Sequence, residues 1–274
     1  MKARRRLEEI LECAKKASDV IRDVCGSDVI LADIGADHGW VSHFSLVRGI
    51  ADACICTDIS KSSLLKAEKL FDVNPDLKGK VDFRVGDGFE VFNNDLNKVD
   101  ICVIAGMGVA EILKIIGENK KNAGGIRIFV LQARHDEYFA KVLAKYCGLE
   151  IIFDKVILDR KHVYRTIVAV DFANCTLQQA CVCDKLRLAF DEANGTDIQN
   201  LGIDFEIFGK NNLFDSSKEH AKAIDVLLEQ AKGLKSNLEA NSKSLDDTDI
   251  QAFMQSLDSR IKNLKKIIAF LNVQ

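Results

Sequence analysis

The chain has 274 residues, of which 47% are hydrophobic and 29% charged, and its formal net charge is −3. This length suffices for one large α/β domain and a smaller one, and the composition is ordinary for a soluble protein. The charge excludes a protein that binds nucleic acid through overall basicity, so such a partner would need a local basic patch.

Cysteine usage and the lack of apolar segments indicate the compartment. The nine cysteines include Cys54-x-Cys56 and Cys181-x-Cys183, a spacing that fits neither a zinc site nor a disulfide framework. We therefore expect buried thiols in a reducing cytoplasm and no metal. No apolar stretch approaches the roughly 20 residues of a membrane span. The basic N-terminal residues lack the apolar core of a secretory signal, so a cytoplasmic protein without a membrane partner is predicted.

An amphipathic helix is predicted at the start of the chain. From Arg4 to about Cys25, apolar residues recur every three or four positions, and Gly26 is suited to end the helix. The opposite face carries basic residues, which are Arg4, Arg5, Lys15, Lys16 and Arg22. This face is either simply solvated or a phosphate-contacting patch beside the active site.

A glycine loop follows the first predicted strand. Residues 29–34 form an apolar run, and Gly35 and Gly39 mark a turn before a helix that starts at about Trp40. A first strand that feeds such a loop is where an open α/β sheet binds a nucleotide-like cofactor. The spacing D-x-G-x-x-x-G, with Asp33 ahead of the turn, differs from the dehydrogenase G-x-G-x-x-G. This difference favours S-adenosylmethionine over NAD.

Acidic residues follow the next two predicted strands. Residues 53–58 end in Asp58, about 25 positions beyond Asp33, where Rossmann-type sheets use an acid to bind ribose hydroxyls. Residues 81–85 alternate as a strand does and precede Gly86-Asp87-Gly88. There an acid can accept a hydrogen bond from an adenine amino group, and glycine allows close approach of the backbone.

Two further strands complete the predicted parallel sheet. Residues 99–105 are apolar apart from one aspartate, as expected for its middle strand, and Gly106-Met107-Gly108 follows. A helix is predicted from about Val109, and a fifth strand over residues 126–131. Gln132-Ala133-Arg134-His135 then closes the carboxyl end of the fifth strand.

An antiparallel hairpin is predicted after the fifth strand. Residues 150–158 and 163–170 resemble strands, and the four residues between them are too few for a crossover helix. Five parallel strands that end in such a hairpin are the class I methyltransferase arrangement, and the hairpin argues against a dinucleotide-binding Rossmann domain. We therefore predict an α/β, Rossmann-like class I methyltransferase domain over residues 1–171.

A second, helical domain is predicted over residues 172–274. A helix is expected from Thr176 to about Glu192, and residues 194–196 and 202–212 have no firm assignment. Two long helices with heptad stripes then predict an antiparallel coiled coil joined at residues 241–247. Because it carries no catalytic cluster, the coiled coil either docks a substrate or partner, or serves packing alone.

With these motifs placed, the chain resembles the bacterial tRNA (adenine(22)-N1)-methyltransferase family, TrmK, over nearly its whole length. The segment from Leu31 to His38 is close to the family's L-A-D-I-G-S-D-H, and Ile104-Ala105-Gly106-Met107-Gly108 is the most specific match. Val85-Gly86-Asp87-Gly88, the late Phe208-Gly209 and the coiled coil also fit.

The resemblance implies S-adenosylmethionine as methyl donor, S-adenosylhomocysteine as product, and N1 of an adenine in the D-arm region of tRNA as acceptor. The residues expected to bind the cofactor are Asp33, Gly35, Ala36, Asp37, His38, Gly39, Asp58, Ile59, Asp87, Gly88, Ala105, Gly106 and Met107. The expected catalytic residues are Asp33, Gly106, Met107 and Gln132. The expected substrate contacts are Trp40, Gly108, Gln132 and Arg134.

Methyl transfer from a sulfonium to the lone pair of adenine N1 mainly requires that the protein position both reactants and exclude water. Asp33 either assists the cationic product, by stabilising its charge or taking a proton, or holds the cofactor's amino group. Trp40 either stacks on the target base or packs in the core. His38 either caps the first helix of the sheet or is catalytic. Arg134 and His135 either contact phosphate or are merely exposed.

The sequence departs from the family pattern at three places. Trp40-Val41-Ser42 stands where the family has Tyr-Leu-Pro, Gln132-Ala133-Arg134 where it has Q-P-N, and Val109 where it has a further glycine. All three lie where the substrate base is expected, so they leave the target nucleotide open and the cofactor assignment unchanged.

Two alternative functions remain at this point. One is a class I methyltransferase that acts on a protein or a small molecule. The other is a non-catalytic module whose coiled coil binds a partner, although the complete set Asp33, Gly35, Asp58 and Asp87 argues against a decayed cofactor site. A monomer is expected.

Overall fold

The computed structural model describes residues 5–92, 98–119, 128–134, 139–171, 177–191, 218–241 and 248–271. The predictions for Arg4, His135, residues 194–196 and 202–212, and the joint between the last two helices lie outside these residues.

The described residues form one sheet of seven strands in the order β3-β2-β1-β4-β5-β7-β6. The strands are β1 Ile30–Ile34, β2 Ala53–Asp58, β3 Val81–Val85, β4 Ile101–Met107, β5 Ile128–Arg134, β6 Glu150–Asp159 and β7 His162–Val170. The first five strands, β1 to β5, pair with one another in parallel. Strand β7 is antiparallel to both β5 and β6. The predicted class I methyltransferase arrangement is confirmed.

Helices connect the strands and follow the sheet. They are α1 Arg5–Cys25, α2 Trp40–Val47, α3 Lys61–Asp72, α4 Pro75–Lys78, α5 Val109–Asn119, α6 Phe139–Val142, α7 Leu177–Phe190, α8 Lys218–Asn241 and α9 Thr248–Leu271. Helix α1 buries its predicted apolar stripe, and the N–H of Gly26 donates to the carbonyl of Arg22 at 2.9 Å. Gly26 has φ +62°, which suits the end of a helix.

Both faces of the sheet are covered, which explains the unbroken apolar run of β4. Val103 belongs to a core cluster shared with α1, α2 and α7, whereas Cys102 and Ile104 belong to a second cluster under α5 and α6. Alternate side chains of a strand point to opposite faces, so a strand covered on both sides is apolar at every position.

The C-terminal helices contact the sheet at two places. Helix α7 packs against α1 in the first cluster. Helices α8 and α9 pack against each other, and α8 packs against β6 and β7, where Val156 and Val163 join a third apolar cluster with residues of both helices. Helix α7 follows the boundary predicted at residue 171 yet shares the core of the sheet, and the division into two domains stays a prediction.

A buried ion pair lies on the face of the β6–β7 hairpin that α8 covers. The guanidinium of Arg165, which is 0% exposed, donates to both carboxylate oxygens of Asp154 at 2.7 and 2.6 Å. His220 of α8 lies nearby, with Nδ1 3.1 Å from the carbonyl of Val156.

Candidate active site

The carboxyl ends of the parallel strands bring the predicted cofactor residues to one edge of the sheet. Asp33, Asp58 and Met107 lie at or next to the ends of β1, β2 and β4, and Asp87 follows β3. We call this the carboxyl edge. In open α/β sheets, ligands bind outside the strand ends at the point where the strand order reverses, which here lies between β1 and β4.

The glycine loop after β1 is tied to the end of β2. The N–H groups of Gly35 and Ala36 donate to the carbonyl of Thr57 at 2.8 and 2.9 Å. Asp58 accepts a hydrogen bond from the N–H of Asp37 at 3.0 Å and one from the N–H of Ser60 at 2.7 Å. One carboxylate therefore holds two loops, which fixes the loop conformation before any ligand binds.

The left-handed backbone of the loop explains its glycines. Gly35 has φ +69° and Gly39 has φ +68°, a conformation that glycine adopts without strain. A Cβ on Gly35 would overlap Cε of Met107, so Met107 from the end of β4 lies directly against the loop. A Cβ on Gly39 would lie 2.9 Å from Cβ of Ala67 in α3, so the close approach of two helices also requires glycine there.

His38 does not cap α2. The helix begins at Trp40, and its N-cap residue, Gly39, makes no side-chain capping hydrogen bond. The His38 ring instead contacts its exposed neighbour, with Nδ1 2.6 Å from Oδ2 of Asp37. The capping alternative was wrong, because Gly39 is the N-cap residue and the exposed His38 side chain contacts Asp37 instead of the helix.

Asp33 is a buried carboxyl beneath the glycine loop. It is 3% exposed, and Oδ2 accepts hydrogen bonds from the N–H and the hydroxyl of Ser42 at 3.2 and 2.9 Å. Burial raises the pKa of Asp33 to about 6, against the opposing effect of the two Ser42 hydrogen bonds. The Asp33 carboxyl is therefore easier to protonate than an exposed aspartate.

Buried thiols lie near this carboxyl on the neighbouring strands β2 and β4. The thiol of Cys56 donates to the Ser42 hydroxyl at 3.0 Å. Burial, and then the nearby Asp33, raise the pKa of the Cys56 and Cys102 thiols. Neutral buried thiols are inert, in agreement with the structural role predicted for the cysteines.

The ends of β2 and β3 combine exposed apolar side chains with carboxylates. Ile59 is 74% exposed and Val85 is 52% exposed, beside Asp58 and ahead of Asp87. The carboxylate of Asp87 lies 3.4 Å from Nζ of Lys114 in α5. Apolar walls with a few placed polar groups are suited to a flat ring with a polar rim.

The end of β4 is irregular. The pairing with β5 shifts register between Ala105 and Met107, and Gly106 has φ +82° with open space where a Cβ would be. The N–H of Gly108 donates to Oε2 of Glu111 at 2.6 Å. This is half of a capping box, and it fixes the start of α5. Sequence reasoning missed Glu111, although its position three residues after the helix N-cap is a recognisable signal.

Gln132 is buried at the end of β5. It is 1% exposed, and Nε2 donates to the carbonyl of Arg6 and to the hydroxyl of Thr166, both at 2.9 Å. These bonds join α1, β5 and β7 at the carboxyl edge. Because its N–H donors are already used, a contact of Gln132 with substrate would have to use the side-chain carbonyl.

Trp40 is half-buried at the start of α2. Its ring stacks on Phe44, with centroids 5.9 Å apart, and meets His43 edge-on at 6.2 Å. The indole therefore packs in the protein on one side and keeps partial exposure. Both interpretations, base stacking and core packing, remain predictions.

The described part of the chain gives no sign of a metal site or a membrane span. Within it, no group of three or more His, Cys, Asp or Glu side chains is placed to hold a metal ion. None of its helices is long and apolar enough to cross a membrane.

The sheet order, the glycine loop and the strand-end acids define a methyltransferase domain. A family model described as a methyltransferase domain matches residues 4–167, and the chain belongs to that family.

Relatives are more specific. The chain is 27% identical over 156 residues to the tRNA (adenine(22)-N(1))-methyltransferase of Bacillus subtilis, a match that covers 56% of this chain and 63% of that protein. The chain spans just over three fifths of the length of the curated relatives that it matches.

Solved structures of similar proteins extend the likeness to the C-terminal helices. The crystal structure of the B. subtilis m1A22 tRNA methyltransferase TrmK has a TM-score of 0.67 at 19% identity, and the match covers 97% of this chain and 99% of that one. The structure of M. capricolum TrmK in complex with S-adenosylhomocysteine has a TM-score of 0.67 at 16% identity, covering 99% and 100%. At these identities the likeness shows the fold.

Proposed function

We propose that this methyltransferase transfers a methyl group from S-adenosylmethionine to N1 of an adenine in tRNA, at position 22 in the D-arm region. The names of its relatives state a tRNA methyltransferase that acts on N1 of adenine 22. One observation carries the proposal. The carboxyl edge is acidic over β1 to β3, where Asp37, Asp58 and Asp87 lie, and basic beyond β5, where Arg134 is exposed. The irregular end of β4 lies between the two halves.

The acidic half fits a cationic nucleoside cofactor. Asp58 would hold the ribose hydroxyls, and Asp87 would accept from the adenine amino group. The exposed Ile59 and Val85 would pack on the adenine ring, so that their apolar surface would be covered. The glycine loop would face the methionine part, and Met107 packed against Gly35 would form the floor beside it.

The cofactor contacts predicted from the sequence are all proposed here, and Val85 is added to them because its side chain is exposed beside the site. Besides Gly35, Asp58, Ile59 and Asp87, the predicted contacts are Asp33, Ala36, Asp37, His38, Gly39, Gly88, Ala105, Gly106 and Met107. S-adenosylmethionine, when bound, supplies an electrophilic methyl group on a sulfonium. One oxygen of Asp33 is held by Ser42, and we propose that its carboxylate faces either the cofactor's amino group or the positive charge that the methylated adenine acquires.

We propose that the base binds at the irregular end of β4, between the acidic and the basic parts of the carboxyl edge. Adenine N1 already carries a lone pair, so the chain has to place it and exclude water rather than activate it. We propose that Trp40 stacks on the base, that Gly106, Met107 and Gly108 line the reaction site, and that Gln132 and Arg134 contact the substrate. Gly106 leaves open space there, which suits a base that enters close to the backbone.

The C-terminal region, residues 172–274, is proposed as a separate helical domain. Helix α8 lies on the β6–β7 hairpin, whose turn is at the same carboxyl edge, and α9 packs on α8, so the helix pair can support that end of the site. A monomer in the cytoplasm is proposed.

A transfer assay tests the substrate class. The protein is incubated with methyl-labelled S-adenosylmethionine and unmodified transcribed tRNA, and we expect label in the RNA. Asp58→Ala should abolish most of the label because it removes a carboxylate that holds two loops. Label confined to protein or small molecules would contradict the tRNA proposal.

Calorimetry with S-adenosylhomocysteine tests the cofactor site separately. Micromolar binding is expected, and it would exclude a decayed, non-catalytic module. The absence of binding would contradict the cofactor assignment.

A further inference from the structure

Basic side chains continue along the carboxyl edge beyond the proposed reaction site. Arg134 ends β5, and Arg160, Lys161 and His162 form the turn between β6 and β7 and the first residue of β7. Because Arg134 pairs with Tyr164 of the antiparallel β7, the turn lies at the same edge. All four basic residues are exposed, and we call them the basic ridge.

Arg6, in the first turn of α1, lies next to the basic ridge. Its carbonyl accepts the hydrogen bond from Gln132, which places α1 at the carboxyl end of β5. Its guanidinium lies 5.3 Å from the centroid of the Tyr164 ring. A guanidinium held on an aromatic face is pre-oriented and offers a flat cationic surface.

Arg6 and the arginine and lysine side chains of the basic ridge differ from other arginines of the chain in their salt bridges. Arg22, Arg48 and Arg187 each pair with a carboxylate at 2.6 or 2.7 Å. Within the described ranges, no carboxylate forms a salt bridge with Arg6, Arg134, Arg160 or Lys161. Like charges grouped in this way repel one another, and an anion that binds there relieves the repulsion.

We propose that the basic ridge, together with Arg6 and Tyr164, is the surface on which the phosphate backbone of the substrate RNA docks. Its place supports this, since Arg134 is one residue beyond Ala133, which pairs with Met107 at the reaction site. The net charge of the chain is −3, so RNA would be held by this local patch rather than by the molecule as a whole. The inference rests on the proposed tRNA substrate and names its docking surface.

The test removes two charges from the turn. Arg160 has φ +59°, so the substitution is Arg160→Asn, which tolerates this backbone, combined with Lys161→Gln. The matched control is Lys66→Gln with Lys69→Gln, which removes the same charge from the exposed side of α3. Binding of transcribed tRNA is measured at 50 and 200 mM salt, because phosphate contacts make affinity fall with salt in proportion to their number.

The turn variant is expected to lose two phosphate contacts. The affinity of the turn variant for tRNA should then fall less steeply with salt. Between 50 and 200 mM salt, the factor by which binding weakens should be roughly tenfold smaller for the variant than for the wild type. The control variant should keep the wild-type slope. If the turn variant and the control show the same affinity and the same slope, the inference is overturned.

Two further measurements keep the outcome decisive. If the turn variant melts at a lower temperature, Arg134→Gln tests the ridge at the end of β5 by the same salt-dependent binding of tRNA. Loss of one phosphate contact should make the weakening of binding between 50 and 200 mM salt about threefold smaller than in the wild type. Unchanged salt dependence for Arg134→Gln would then overturn the inference. If the wild type methylates no tRNA but the turn variant still loses salt-dependent tRNA binding, the proposed reaction fails and the docking surface stands.

Discussion

Met107, at the end of β4, occupies the space beside Gly35 that any larger residue in the glycine loop would need. The contact joins the proposed cofactor loop to the proposed reaction site. Gly35 is thus required for two reasons, its φ of +69° and the position of the methionine.

Gly35→Ala tests this contact, with Gly49→Ala as the matched control. Both glycines have a positive φ, +69° and +63°, but a Cβ on Gly49 would meet open space. Both changes should lower the free energy of unfolding by about 1–2 kcal/mol through backbone strain. Only Gly35→Ala should also weaken S-adenosylhomocysteine binding, because Met107 must swing away. Equal affinity of the two variants in calorimetry would show that the contact is unimportant.

Asp33→Asn should stabilise the protein at alkaline pH. The pKa of Asp33 in the folded protein is about 6, above the ordinary 3.8, so the folded state disfavours the ionised form. Ionised Asp33 lowers the free energy of unfolding by about 3 kcal/mol at any pH well above 6. This destabilisation disappears as the pH falls below 3.8, because the carboxyl is then protonated in both the folded and the unfolded state. Denaturant unfolding should therefore show a gain for the variant at pH 8 that shrinks toward pH 4.

The same substitution should weaken S-adenosylhomocysteine binding if Asp33 holds the amino group. Ser42→Ala should act in the opposite direction on stability at pH 8, since the ionised Asp33 loses a hydroxyl donor. A gain for Asp33→Asn that does not depend on pH would contradict the assignment of a raised pKa to this group.

The fold was predictable because it depends on local patterns. Apolar runs, glycine turns and the short β6–β7 connection each limit the chain to one arrangement, and the sheet order agrees with it. The surroundings of Gln132 were not predictable, because Arg6 is 126 positions away and Thr166 is 34 positions away in the chain. No periodicity indicates such contacts.

Tyr164 shows the same limit in the site. Its place opposite Arg134 depends on the antiparallel register of β7, and its contact with Arg6 depends on how α1 lies across the sheet. The role of Ser42 was also missed. It is one of three polar residues on the short helix α2, and the buried Asp33 that needs its donors is recognisable only once β1 and α2 are packed together.

Trp40→Leu separates base stacking from core packing. Leucine keeps apolar volume but offers no aromatic face, so stacking predicts about a tenfold rise in KM for tRNA. The affinity for S-adenosylhomocysteine should not change. Phe44→Leu is the control, because Phe44 is buried under the indole and should lose stability without a change in KM. A Trp40→Leu variant that loses stability and keeps its KM would support the core interpretation instead.

The buried pair of Arg165 and Asp154 should be strongly coupled. Arg165→Met leaves a buried carboxylate without its bidentate partner and should cost about 3–5 kcal/mol in the free energy of unfolding. Combining it with Asp154→Leu should recover most of that loss, because no buried charge remains. Additive losses in denaturant unfolding would show that the two side chains act independently.

The central claim is methyl transfer to one nitrogen of one adenine in tRNA. The most direct measurement is nucleoside analysis of transcribed tRNA after reaction with S-adenosylmethionine, beside the same tRNA with adenine 22 replaced by guanine. We predict 1-methyladenosine in the first tRNA and none in the second. Methylation of another nucleoside, or equal 1-methyladenosine in both tRNAs, would contradict the claim.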